Sequence, residues 1–250
     1  MRLIASLAAM AAALMSAPLL AQAAEQTAPV TAPADQALTL AQLMSPRDLL
    51  IDMEVREYDK HFVPSLRSNP DLNSLEEEYP GLFDAMHKAT RGLVAKGTGQ
   101  TVDQLHQAMV ALIQEQFSRS DVDELISFYR SPVGQKTVQQ MAGAADAGQI
   151  YQEAVEDEDF KLTAEYIAEQ NQLSAKRASR NFTPDEQAQM LLFMAKPSFT
   201  KLARAQPQIQ KILAEKFNAP DPVFDQEVEQ AMSSAIERHI AAFEEKSDGK

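Results

Sequence analysis

The chain has 250 residues, 36 acidic against 23 basic, a formal net charge of −13 and no cysteine. Disulfides, thiol chemistry and cysteine-ligated metals are therefore excluded. So acidic a chain is repelled by phosphate backbones and anionic lipid surfaces, which argues against nucleic acid as a partner.

The first residues read as an export signal. Arg2 supplies the positive start, Leu3 to Ala17 is an uncharged apolar run, Pro18 breaks it, and Ala21-Gln22-Ala23 fits the small-x-small cleavage rule. The run is shorter than the roughly 20 residues a membrane helix needs. Residues 1–23 are thus predicted to be a signal peptide cleaved near Ala23, giving a periplasmic protein of Gram-negative type with no stable membrane insertion. Residues 24–37, rich in Ala, Pro and Thr, read as a flexible linker, and 38–247 as a helical domain.

Helix signals fill that domain. Ser45, Pro46 and Asp48 match an N-cap, a first-turn proline and an N3 acid, so a helix is expected to start there. The stretch between Pro70 and Pro80 reads as a short polar turn or helix. Leu82, Phe83, Met86, Thr90, Leu93 and Val94 share a helical face, with Gly97 as the expected stop. Val102, Leu105, Met109, Leu112 and Ile113 mark a further amphipathic helix. Residues 150–179 are predicted to form one long helix, or two broken near the acidic run at 156–159. Asp221 and Pro222 open a last helix whose stripe is Phe224, Val228, Met232, Ala235, Ile236 and Phe243. Met109, Met141, Met190 and Met232 fall on stripes expected to be core. No segment shows the alternation of a strand. The fold class is all-α, a helical bundle or stack of helix hairpins.

A 65-residue offset places Phe117–Val138 over Phe182–Ala203. Phe117, Phe128, Pro132 and Lys136 then meet Phe182, Phe193, Pro197 and Lys201. Ser118 with Asp121, and Thr183 with Glu186, both spell a capping box. Leu125 and Ile126, like Met190 and Leu191, are expected on the buried face. Each proline ends one helix and opens the next. An internal repeat with units near 101–158 and 160–217 is the expectation.

The run Phe128-Tyr129-Arg130-Ser131-Pro132-Val133-Gly134-Gln135-Lys136 resembles the signature of the exported bacterial domain-of-unknown-function family 2059. The resemblance spans about Thr101 to Gln140. It implies a small, mostly helical, exported protein, and it carries over no catalytic residue because the family has none assigned. The second copy keeps the cap and the proline but lacks counterparts of Tyr129 and Gly134. Any function in this stretch would therefore fall on Tyr129, Arg130 and Gly134, the candidate binding residues.

Other motifs carry little chemistry. Ser198-Phe199-Thr200-Lys201 fits the Ser-x-x-Lys nucleophile pattern, but its partner motifs and a sheet to hold them are missing from the sequence. Glu54, Glu57 and His61 share a helical face that reads as solvated; a di-metal set needs Glu-x-x-His on two helices, but position 60 is Lys and no second copy exists. The acidic run 156–159 lacks a calcium loop. Lys96-Gly97-Thr98-Gly99-Gln100 reads as a helix cap and turn. His87, His106 and His239 read as surface or boundary residues. No catalytic residue, metal ligand or cofactor is assigned. The expected role is non-catalytic binding of a protein, peptide or apolar ligand. The alternatives are an envelope hydrolase with an unrecognised site, or a structural or stress-related envelope factor.

Overall fold

The computed structural model describes residues 31–145, 148, 150, 153 and 160–248. The expected signal peptide, the first part of the linker and the acidic run 156–159 lie outside the described residues. In chain order the helices are α1 (Ala34–Met44), α2 (Arg47–Ser68), α3 (Pro70–Glu78), α4 (Leu82–Gln116), α5 (Arg119–Arg130), α6 (Pro132–Ala144), α7 (Ala164–Ala178), α8 (Pro184–Met194), α9 (Pro197–Asn218) and α10 (Pro222–Asp248). A 3₁₀ turn, Ser179–Asn181, follows α7. Among the described residues there is no strand, and a single β-bridge joins Thr31 to Ser118. The fold is an all-α helix bundle, as expected.

The spine is α4, a 35-residue helix of about 52 Å at 1.5 Å per residue. Its N-terminal half packs with α2 and α10 around Tyr58, Phe62, Leu82, Phe83, Met86, Val228 and Met232. Its C-terminal half joins α1, α5 and α9 in a second cluster that continues into α6, α7 and α8. Met109, Met141 and Met190 are buried in that second cluster and Met232 in the first.

Several boundaries differ from the sequence expectation. Helix α1 begins at Ala34, inside the stretch read as linker, and Ala32, Ala37, Leu40, Ala41 and Met44 are buried. Ser45 does not cap α2. Its N–H and its hydroxyl both donate to the Ala41 carbonyl, so it closes α1, and Pro46 stands at the N-cap of α2. Gly97 does not stop a helix: α4 runs straight through it, and a Cβ there would sit 2.7 Å from the Phe224 ring of α10. The glycine lets two helices approach closely instead of ending one. Of the two readings of 150–179, the single long helix fails: residues 160–163 are not helical and Thr163 caps a fresh start at Ala164, just after the acidic run named for a break. At the other end of the chain, Asp221 accepts the Phe224 N–H at 3.0 Å, as the sequence predicts.

Both expected capping boxes are present. Ser118 Oγ accepts from Asp121 N while Asp121 Oδ2 accepts from Ser118 N, and Thr183 and Glu186 repeat the pattern. The four residues brought together by the 65-residue offset are also cross-linked. Lys136 donates to Glu186 at 2.7 Å, and Lys201 donates to Asp121 at 2.5 Å. Each helix-capping acid thus takes the lysine of the other segment. The buried face of α8 is narrower than expected, because Met190 is buried but Leu191 is 65% exposed.

Candidate functional site

The three candidate residues lie at the α5–α6 corner but do not converge on a cavity. Tyr129 is buried in the larger core cluster, and burial pushes its phenol well above the ordinary tyrosine range. Arg130 is exposed at the end of α5. Gly134 is buried where the two helices cross, and a Cβ there would collide with the Phe128 carbonyl. Ser131 holds the corner by donating to that carbonyl at 2.7 Å and accepting the Gly134 N–H at 3.1 Å. Two members of the motif are thus packing and turn residues.

The Ser-x-x-Lys residues are engaged elsewhere. Ser198 is 1% exposed and its hydroxyl donates to Glu124, which also accepts from Lys196 at 2.8 Å. Those hydrogen bonds, Lys196 first, hold the Glu124 carboxyl below the usual carboxylate range. Lys201 is held by Asp121. A serine tied to one carboxylate and a lysine tied to another do not form a nucleophile–base pair.

The face of α2 that reads as solvated is not. Glu54 and Glu57 are buried, and His61 Nε2 lies 3.4 Å from Glu57 Oε2. His106, read as a boundary residue, is buried with Nε2 2.8 Å from the Ser45 carbonyl. Beside this face lies a polar network that the sequence does not announce. Asp59 accepts from Arg91 through two nitrogens and lies 2.9 Å from His87 Nε2. His87 stacks on Tyr58 with centroids 5.2 Å apart, and Tyr58 meets Thr90 Oγ1. The one available signal was the spacing of His87, Thr90 and Arg91 on a single helix face. Among the described residues no group of three or more His, Asp or Glu side chains is arranged to hold a metal ion.

A cleft of about 140 Å³ opens where α4, α9 and α10 meet the segment leading into α7. Phe160, Leu162, Phe217 and Phe224 give it apolar walls, and Lys161, Lys216, Asp221 and Asp225 line it with charge of both signs. Its geometry is fixed from two sides. Asn218 clamps the Leu162 backbone, accepting its N–H at 3.0 Å and donating to its carbonyl at 2.7 Å. Gly97 lets the Phe224 ring lie against α4. Phe217 touches both core clusters, so the cleft sits at their seam. None of these residues was singled out as a site from the sequence, because they come from three distant segments.

The comparisons with known proteins bear on the motif rather than on the cleft. Residues 103–158 match the family model described as an uncharacterized protein conserved in bacteria, DUF2059. The resemblance read from Phe128–Lys136 is borne out. The matched segment covers the C-terminal half of α4 with α5 and α6, and every residue lining the cleft lies outside it. No curated protein and no solved structure matches the chain significantly. No helix among the described residues is long and apolar enough to cross a membrane.

Proposed function

We propose that the chain is an exported, non-catalytic binding module that takes an apolar side chain of a peptide or protein partner in the cleft between α9, α10 and the 160–162 segment. The cleft carries this reading. It combines aromatic walls with a few polar groups, the usual composition of a binding site. Its volume of about 140 Å³ is well under the several hundred Å³ of a typical small-molecule pocket, so it suits one anchor residue rather than a whole ligand. Lysines and aspartates around it offer partners to the charged and hydrogen-bonding groups of a peptide flanking the anchor. Export rests on Arg2, the apolar run to Ala17 and the Ala21-Gln22-Ala23 sequence. Under the same reading the protein resides in the periplasm.

Panning a displayed peptide library against the protein tests the cleft. Enriched peptides are expected to share an apolar anchor, and Ala219→Trp, at an exposed cleft position, is expected to weaken them about tenfold or more. No enrichment, or binding indifferent to that substitution, overturns the proposal. Amino-terminal sequencing of protein from a periplasmic fraction checks export, with a start at Ala24 expected. A hydrolase screen addresses the rival reading, and activity lost in Ser198→Ala would favour it over binding.

A further inference from the structure

We infer that the second helical unit carries an open counterpart of the seat that α1 fills on the first, and that this face of α8 receives an amphipathic helix from a partner protein. The inference starts from the local symmetry of the cross-links. Lys136–Glu186 and Lys201–Asp121 are the same contact made in both directions at an offset of 65 residues. Phe128 and Phe193, themselves one offset apart, stack on each other at 3.6 Å. Two units related by a local two-fold axis passing near that stack would make these contacts. Under that operation α4, α5 and α6 exchange with α7, α8 and α9.

Helix α1 has no counterpart in the exchange. It lies along α4 and α5 of the first unit. Gln114 donates to the Ala32 carbonyl, Thr31 bridges Ser118, Gln36 donates to Asp123, and His106 meets the Ser45 carbonyl. Beneath this layer Val122 and Ile126 are buried. Their equivalents on α8, Gln187 and Leu191, are both exposed. Leu192 beside them is 71% exposed, more than any other large apolar residue described in the chain. Asn171, the equivalent of His106, is buried with neither amide atom hydrogen-bonded. The second unit thus leaves Leu191 uncovered and a polar group unused at positions where the first unit has α1, with Leu192, whose equivalent Ser127 is also exposed, at the edge of that face.

Charge selects the occupant. Ala111 and Glu115, which flank Gln114 in the first unit, become Lys176 and Arg180 in the second. Both are exposed, and neither has an ion pair among the described residues. They stand where the start of the incoming helix would lie. A helix start carries partial positive charge, so the partner needs acidic residues in its first turn. Helix α1 itself has Asp35 there and an Ala37, Leu40, Ala41 and Met44 face. The occupant is therefore an amphipathic helix with a small-residue apolar face and an acidic first turn, bound helix against groove.

The test uses the intact chain and a fluorescein-labelled peptide of residues 31–46 as probe. One peptide is expected to bind per chain. The double variant Leu191→Lys/Leu192→Lys, at two exposed positions, should keep its circular dichroism and bind at least about tenfold more weakly, and a peptide carrying Asp35→Lys should bind several-fold more weakly. Three results overturn the inference. The first is no binding. The second is binding unchanged by the double variant, which would mean exchange with the resident α1. The third is self-association of the chain that the double variant abolishes, which would make a second copy the occupant.

Discussion

Phe128 and Phe193 lie face to face, with ring centroids 3.6 Å apart and planes 1° from parallel. Each lies four residues before the proline of its helix corner, Ser131-Pro132 in one case and Lys196-Pro197 in the other. The stack joins α5 to α8, and Phe199 meets Phe193 edge-on at 5.3 Å. Phe193 is buried while Phe128 is half-buried. Phe193→Ala is therefore expected to cost about 3 kcal/mol and Phe128→Ala less. A double-mutant cycle in denaturant should return a coupling of about 0.5–1.5 kcal/mol. Additive effects would mean the rings are neighbours without a specific interaction.

The reciprocal lysine–acid pairs predict acid sensitivity. Burial pushes the Asp121 carboxyl up, but hydrogen bonds from Lys201 and Ser118 outweigh it and hold the group below its ordinary value. The Lys136 hydrogen bond, with the Thr183 N–H, does the same for Glu186. A carboxyl whose folded-state pKa is depressed stabilises the fold fully above its unfolded pKa and loses that contribution as pH falls through the folded value. The ordinary values are 3.8 for the aspartate and 4.5 for the glutamate. Stability should thus decline from about pH 5 downward, and the decline should continue below the ordinary values. In urea titrations a Lys136→Met/Lys201→Met variant is expected to show a shallower dependence over that range than the parent. Parallel curves would remove the pairs as its source.

The contrast between these acids and Ser45 shows what the sequence can carry. Ser118 and Asp121 are three residues apart, so their capping box is a local fact that the sequence states. Ser45 lies between two helices and its hydroxyl can serve either. The choice falls on Ala41 because α1 is packed onto α4 and α5, which no local pattern records. Leu191 misleads for the same reason. Its period marks it as core, and only the absence of a covering helix leaves it at the surface. The cleft was not legible, because Gly97, Leu162, Phe217 and Phe224 meet only in three dimensions. Tyr129 and Gly134 could be found from the motif, but their work is in packing and in the corner.

Loss of a cap should be felt at both ends of the local symmetry. Ser118→Ala removes the acceptor for the Asp121 N–H, and Thr183→Ala removes the one for the Glu186 N–H. Each is expected to cost about 1 kcal/mol in a denaturant midpoint measurement. Ser118 also donates its hydroxyl to Asp121 at 2.6 Å, so its loss should raise the Asp121 pKa as well. The Ser118 variant should then lose less stability than the parent as pH falls below about 5. Identical pH profiles would show that the hydroxyl contact adds nothing beyond the backbone cap.

Gly134 and Gly97 make a matched pair, because both sit inside helices and both are closely approached, but by different kinds of atom. A Cβ at position 134 meets the carbonyl of Phe128, which belongs to the backbone of the preceding helix. The corner can accommodate it only by opening, so Gly134→Ala is expected to cost at least about 1–3 kcal/mol, as for overpacking elsewhere. At position 97 the Cβ meets the outer edge of the Phe224 ring at 2.7 Å, the far end of a side chain that can swing. Alanine there also gains about 1 kcal/mol of helix propensity over glycine, so the net change in stability should be the smaller of the two. The cost appears in the cleft instead. Phe224 is one of its walls, and displacing it should weaken anchor binding while the melting curve moves little. Comparing the two variants by thermal unfolding and by peptide titration separates the roles. If Gly97→Ala destabilises as much as Gly134→Ala, the α4–α10 contact is rigid and the cleft is part of the core.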